Sequence, residues 1–181
     1  MPATTRRAEG AWRYEPPYVP PEEATTGEGN PFEKKVLGSC HCEMVQFYVT
    51  RDKPLKAKFC HCSDCQIIHG APFQWAAIVH KSDIAFIKGT DNLNFLNSGT
   101  DKPTHELPCK VRCSNCGSLL MDEGRNMCLL FPTVLRMDRA ELTKNFYPDM
   151  HIFYEQRVVD IPDGKPKWAG LDEKSEQLDL H

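Results

Sequence analysis

The sequence predicts a mainly β fold with few short helices, and three observations carry that prediction. Short runs rich in β-branched and aromatic residues recur along the middle of the chain, and turn-forming residues separate them. Seven of the nine cysteines fall into three tight clusters, Cys40/Cys42, Cys60/Cys62/Cys65 and Cys113/Cys116, close enough in spacing to staple short elements together. At 181 residues the chain suits one domain of about 130 residues with two tails.

Taken in order, residues 1–35 hold six of the fourteen prolines with Glu and Thr and little apolar periodicity, which predicts a flexible extension. Its Trp12, Tyr14 and Tyr18 are the residues that could drape over the domain. The domain proper is expected over residues 36–165. Val45 to Thr50, Trp75 to Val79 and Ile84 to Ile87 read as strands. Asp52-Lys53-Pro54, Lys88-Gly89-Thr90 and Asn97-Ser98-Gly99 read as the turns between strands. Ser63 to His69, directly after a cysteine cluster, and Asp138 to Asn145 are the two helical candidates. Residues 166–181 are polar and charged and are expected to fray.

The cysteine spacings point to metal rather than to disulfides or a redox pair. A CxC pair on a strand sends both sulfurs to one face, and a CxxC pair has the spacing of a metal-binding knuckle. No apolar signal-like stretch opens the chain, so the thiols are expected to stay reduced, in the cytoplasm or the nucleus. Seven thiolates divide naturally into four, which close a structural zinc tetrahedron, and three, which leave a catalytic zinc one open position. Counting alone leaves the pairing of clusters open. Chemistry prefers Cys60, Cys62 and Cys65 as a self-sufficient group, with Cys40 and Cys42 joining Cys113 and Cys116 across the domain. Two zinc ions per chain are the expected cofactors.

The run Gly38-Ser39-Cys40-His41-Cys42, then Phe59-Cys60-His61-Cys62-Ser63-Asp64-Cys65, Gly70-Ala71-Pro72-Phe73 and Cys113-Ser114-Asn115-Cys116-Gly117-Ser118, resembles the glutathione-dependent formaldehyde-activating enzyme family, which includes centromere protein V. The likeness spans about residues 36 to 165, with His151-Ile152-Phe153-Tyr154 and Ile161-Pro162-Asp163-Gly164 resembling the end of the family domain. It implies zinc-clamped antiparallel sheets related to methionine sulfoxide reductase B. It also implies a structural zinc on Cys40, Cys42, Cys113 and Cys116. A catalytic zinc would sit on Cys60, Cys62 and Cys65, its open position taking the glutathione sulfur.

Three classes of function follow. The leading one is a zinc-dependent carbon–sulfur lyase or synthase on a glutathione adduct such as S-hydroxymethylglutathione, with a small-molecule thiol as partner. The second is a non-catalytic zinc-stabilised binding or scaffold module. The third is a reductase of the related fold, which needs a metal-free nucleophilic cysteine. His61 alternates with two cysteines and is expected to point away from the metal, while Asp64 is read as a cap or hydrogen-bond acceptor. Cys109 and Cys128 are left outside both sites, Cys128 as a small buried hydrophobe. Lys56, Lys58 and Arg112 are the cations nearest the clusters in sequence. A net charge of −3 with scattered Lys and Arg argues against nucleic acid, and no run of membrane length occurs. The oligomeric state is not legible.

Overall fold

The computed structural model describes residues 10–97 and 99–179, and two sheets form the body of the protein. Strands β1 (Val36–Ser39), β2 (Gln46–Val49) and β5 (Ile84–Lys88) make a three-stranded sheet in the order β1-β2-β5. The second sheet joins β3 (Lys56–Cys60), β4 (Gln74–His80), β6 (Leu93–Leu96), β7 (Cys109–Cys113), β8 (Leu119–Glu123), β9 (Met127–Leu130) and β10 (Met150–Ile152). Their order is β10-β3-β4-β9-β8-β7-β6. Helices α1 (Ser63–His69) and α2 (Arg139–Phe146) are the only α-helices among the described residues.

Strands β2, β3, β6 and β9 bury alternate side chains, the period of two expected when one face of a strand lies on a core. Val45, Phe47 and Val49 from the first sheet meet Ala77, Val79, Val111, Met121 and Leu130 from the second. The three expected strands lie at β2, β4 and β5, and α1 occupies the expected residues. Asp138 is the N-cap of α2, accepting from Ala140 N at 2.8 Å and Glu141 N at 3.3 Å, and the helix buries Leu142 and Phe146. Gly89, at φ 83°, makes the turn after β5. Ser98, in the third expected turn, lies outside the described residues.

Four expectations need correction. The sheets are not wholly antiparallel, because β10 pairs with β3 in parallel after the α2 crossover. Neither CxC pair lies along a strand. Cys42 sits in the turn after β1, and Cys60 ends β3 while Cys62 is the N-cap of α1, so strand ends rather than strand faces present the sulfurs. Residues 10–35 of the expected flexible extension are anchored. Tyr18, 3% exposed, packs its ring against Trp12 and Phe86, and its hydroxyl donates to Glu123 Oε2 at 2.6 Å. Burying one aromatic with a paired hydroxyl offsets the ordering that proline-rich composition disfavours. The C-terminal segment is docked as well: Trp168 N donates to His151 O at 3.0 Å, and buried Asp172 pairs with Lys56 and Lys58 on β3. No helix of the described residues is long and apolar enough to cross a membrane.

Candidate metal centres and the cleft beside them

The fold brings the seven cysteines into two groups. Cys40 and Cys42, after β1, meet Cys113 and Cys116, at the end of β7, with all four sulfurs within 4.8 Å of one another. Cys40 Sγ lies 3.6 Å from Cys42 Sγ, and Cys42 Sγ lies 3.8 Å from Cys113 Sγ. A disulfide is about 2.05 Å long, so these are not bonded pairs. Zinc with bonds of about 2.3 Å to sulfur has tetrahedral edges of about 3.8 Å, which these spacings match. Backbone groups support the sulfurs: Val45 N donates to Cys40 Sγ at 3.3 Å, and Arg136 holds the preceding loop through Ser39 Oγ at 2.7 Å and Cys40 O at 3.2 Å.

Cys60, Cys62 and Cys65 form the second group, again within 4.8 Å, and among the described residues no fourth His, Cys, Asp or Glu joins them. Cys60 closes β3, Cys62 caps α1 by accepting from Cys65 N at 3.4 Å, and Cys65 stands in the first helical turn. Gln66 Nε2 donates to His61 O at 2.6 Å and Gln156 O at 2.8 Å, which ties α1 to the turn after β10. The three thiols are close enough to perturb one another. Cys62 is held far below the usual thiol range by bonds from Cys60 and Cys65, whose own thiols are pushed up in return. A group that concentrates negative charge on sulfur in this way suits a soft divalent cation.

His61, in the link between β3 and α1 rather than on a strand, is directed to His151. It is fully buried, with Nε2 2.9 Å from His151 Nδ1, while His151 Nε2 is 3.0 Å from Asp163 Oδ2. An ionised Asp163 fixes the direction of this chain: His151 donates to the carboxylate and accepts from His61. Burial beside His151 pushes His61 down to about 4, so it is neutral. Asp64, in the first turn of α1, is exposed.

The remaining cysteines are inert. Burial pushes Cys109 up to about 12, and Cys128 is raised further by burial and by Glu123. His105, Cys109 and Glu123 also converge within 4.8 Å. Glu123, however, is already taken by Lys81, Tyr18 and His105 and reads as a buried ion pair. The nucleophile that a reductase of the related fold requires is therefore missing at both leftover cysteines.

Sequence reasoning missed a polar cluster beside the three-thiol group. Lys110 Nζ on β7 is 2.7 Å from Asp122 Oδ2 on β8 and 3.2 Å from Gln74 Oε1 on β4, and Gln74 Nε2 donates to Asp122 Oδ2 at 3.0 Å. The Lys110 charge adds a small downward pull on Cys62 and, against the stronger upward push of its neighbouring thiols, on Cys65. Lys110 and Asp122 face each other across the β7/β8 pairing, a relation that no local spacing in the sequence reveals. Of the cations singled out from sequence, Lys56 and Lys58 are paired with the C-terminal segment, and Arg112 is exposed on β7.

Two spaces adjoin this cluster. A cavity of about 80 Å³ has Cys60, Cys65, Gln74 and Asp122 on its walls, with Ala76, Ile78, Leu129 and Ile152. A cleft of about 630 Å³ is bounded by Phe59, His69, Ala71, Phe73, Gln74, Trp75 and Phe131. Gln74 lines both.

The sequence matches the family described as glutathione-dependent formaldehyde-activating enzyme over residues 35–156, two thirds of the chain. A search of curated proteins found no match. Among solved structures, a crystal structure of a Rhodobacter sphaeroides protein aligns at 24% identity and a TM-score of 0.46, covering 59% of this chain and 94% of that one.

Proposed function

The chain belongs to the glutathione-dependent formaldehyde-activating enzyme family, and from that premise we propose that it is a zinc-dependent carbon–sulfur lyase or synthase joining glutathione to formaldehyde. The observation that carries the reading is the thiol group that stops at three. A four-thiol group closes a tetrahedron and a three-thiol group leaves one position for a ligand, so Cys40, Cys42, Cys113 and Cys116 are assigned to structure and Cys60, Cys62 and Cys65 to chemistry. Zinc held by those three cysteines would supply a position at which an incoming thiol loses its proton.

The chain's own residues do the rest. Phe59, Phe73 and Trp75 wall a cleft within the usual range for a small-molecule site, roughly 300–1,000 Å³, and it shares Gln74 with the cavity that Cys60 and Cys65 line. Lys110, paired with Asp122, is the cation on this side of the site, and its charge favours the thiolate form of Cys62. The reaction needs no oxidant. The sulfur bonds to the carbonyl carbon, the π pair of the C=O moves onto oxygen, and the oxygen takes up one proton, matching the one the thiol gives up. The reverse cleaves the carbon–sulfur bond and returns both.

Because glutathione and formaldehyde combine unaided, the test is acceleration of an existing equilibrium. Exchange NMR between formaldehyde hydrate and the glutathione adduct, on protein of measured zinc content, is expected to show faster exchange that disappears in Cys62→Ser. An exchange rate unchanged by the wild-type protein removes the reading.

A further inference from the structure

We propose that the 80 Å³ cavity against the three-thiol group is the pocket for the one-carbon unit, and that Asp122 and Gln74 recognise the hydroxyl of the hydroxymethyl adduct. The inference rests on the function proposed above and assigns the atoms that would hold the substrate oxygen.

The hydrogen-bond inventory leads there. Asp122 Oδ2 is fully used, accepting from Lys110 Nζ and Gln74 Nε2. Asp122 Oδ1 is buried and has no partner, an expensive state for a carboxylate oxygen. Gln74 Nε2 carries two hydrogens, one of which is given to Asp122. A hydroxyl is the group that answers both vacancies, since it donates once and accepts. Its O–H would bond to Asp122 Oδ1, and its oxygen would take the second Gln74 hydrogen. A carbonyl oxygen cannot donate to Asp122, so the pair discriminates the adduct from unhydrated formaldehyde.

The rest of the cavity agrees in size and polarity. Cys60 and Cys65 form the wall on the sulfur side, Ala76, Ile78, Leu129 and Ile152 are apolar, and Lys58, which also lines the cavity, has its ammonium paired with Asp172. A space this small fits a short carbon unit with one polar end, while the peptide part of the ligand has the larger cleft on the other side of Gln74. Lys110, 91% buried at its side chain, keeps its ammonium on Asp122 Oδ2 and so leaves Oδ1 for the substrate hydroxyl.

The experiment compares two probes on zinc-loaded full-length protein, glutathione alone and glutathione with formaldehyde, by calorimetric titration, with formaldehyde alone as blank. Wild type is expected to bind the mixture about tenfold more tightly than glutathione, the scale of a hydrogen bond to a charged group. Asp122→Asn should bind glutathione within about twofold of wild type and lose most of that gain. Gln74→Met should lose part of it, and it carries the test if Asp122→Asn fails to fold. A gain that survives in both variants, or that is absent from a wild type that binds glutathione, overturns the assignment and leaves the family function standing. A wild type that binds neither probe overturns both.

Discussion

Cys113→Ser and Cys62→Ser should separate the two thiol groups, because the structure couples them to stability very differently. Cys42 and Cys113 are 71 residues apart in sequence, and their sulfurs bridge the turn after β1 to the end of β7, joining the two sheets. Structural zinc contributes about 10–16 kcal/mol of folding free energy, so one ligand in four is worth about 3 kcal/mol. Cys113 is 1% exposed, and a hydroxyl left there without a partner costs about 1–3 kcal/mol more. The sum, about 5 kcal/mol, rivals the whole margin of a typical domain. Cys62, by contrast, is half-buried at the N-cap of a seven-residue helix that buries none of its side chains. Serine is itself a favoured N-cap, so Cys62→Ser should cost about 1 kcal/mol or less. Urea unfolding followed by tryptophan fluorescence, with zinc content measured on each protein, reads the difference. Equal losses of midpoint in the two variants would refute the division into a stapling and a local group.

Tyr18→Phe keeps the ring but removes the hydroxyl from Glu123, and should cost about 2 kcal/mol, or roughly 4–8 °C in Tm by calorimetry. Asp163 is held at about 2, against burial, by hydrogen bonds from His151, Lys165 N and Lys167. Its folded value lies below its unfolded value, so its contribution of about 2 kcal/mol is present above pH 3.8 and is lost as pH falls from 3.8 towards 2. Asp163→Asn should therefore be less stable at pH 7 and flatter across that acid window in denaturant titrations. Gly89→Ala would place a methyl 2.0 Å from Met44 O, at φ 83°, whereas Gly70→Ala meets nothing within 4 Å at φ 57°. The first should cost about 3 kcal/mol or more and the second about 1 kcal/mol, measured by the same unfolding midpoints.

What could be read in the sequence was local. Short spacing marked the cysteine clusters, and the preference for a self-sufficient Cys60/Cys62/Cys65 group agrees with the grouping in space. Ser63 to His69 was read as helical from its place directly after the cysteine cluster, and in the structure Cys62 caps it and Gly70 ends it. Strands β6 to β9 were not singled out, and their pairing partners lie across turns and hairpins that carry little signal of their own. The packing of the extension turned on Tyr18, one residue whose value depends on Glu123, 105 positions away. Composition averages over a segment and cannot register a single anchor of this kind.

The same limit applies to the candidate site, and it explains its division of labour. Cysteines announce themselves by spacing because a metal needs several ligands close together, and a short loop supplies two or three cheaply. The groups that would choose a substrate carry no such requirement. Lys110, Asp122 and Gln74 come from β7, β8 and β4, which lie in one sheet with β9 between β8 and β4, and only the sheet order brings them together. Their cluster is rigid for the same reason, since each side chain stands on a paired strand and bonds to the other two. Two enzymes of this fold could thus keep all seven cysteines and differ in substrate by changing one residue at position 74 or 122. On the assignment proposed above, the cysteine pattern marks the reaction centre, and the polar neighbours across the sheet would decide what reacts there.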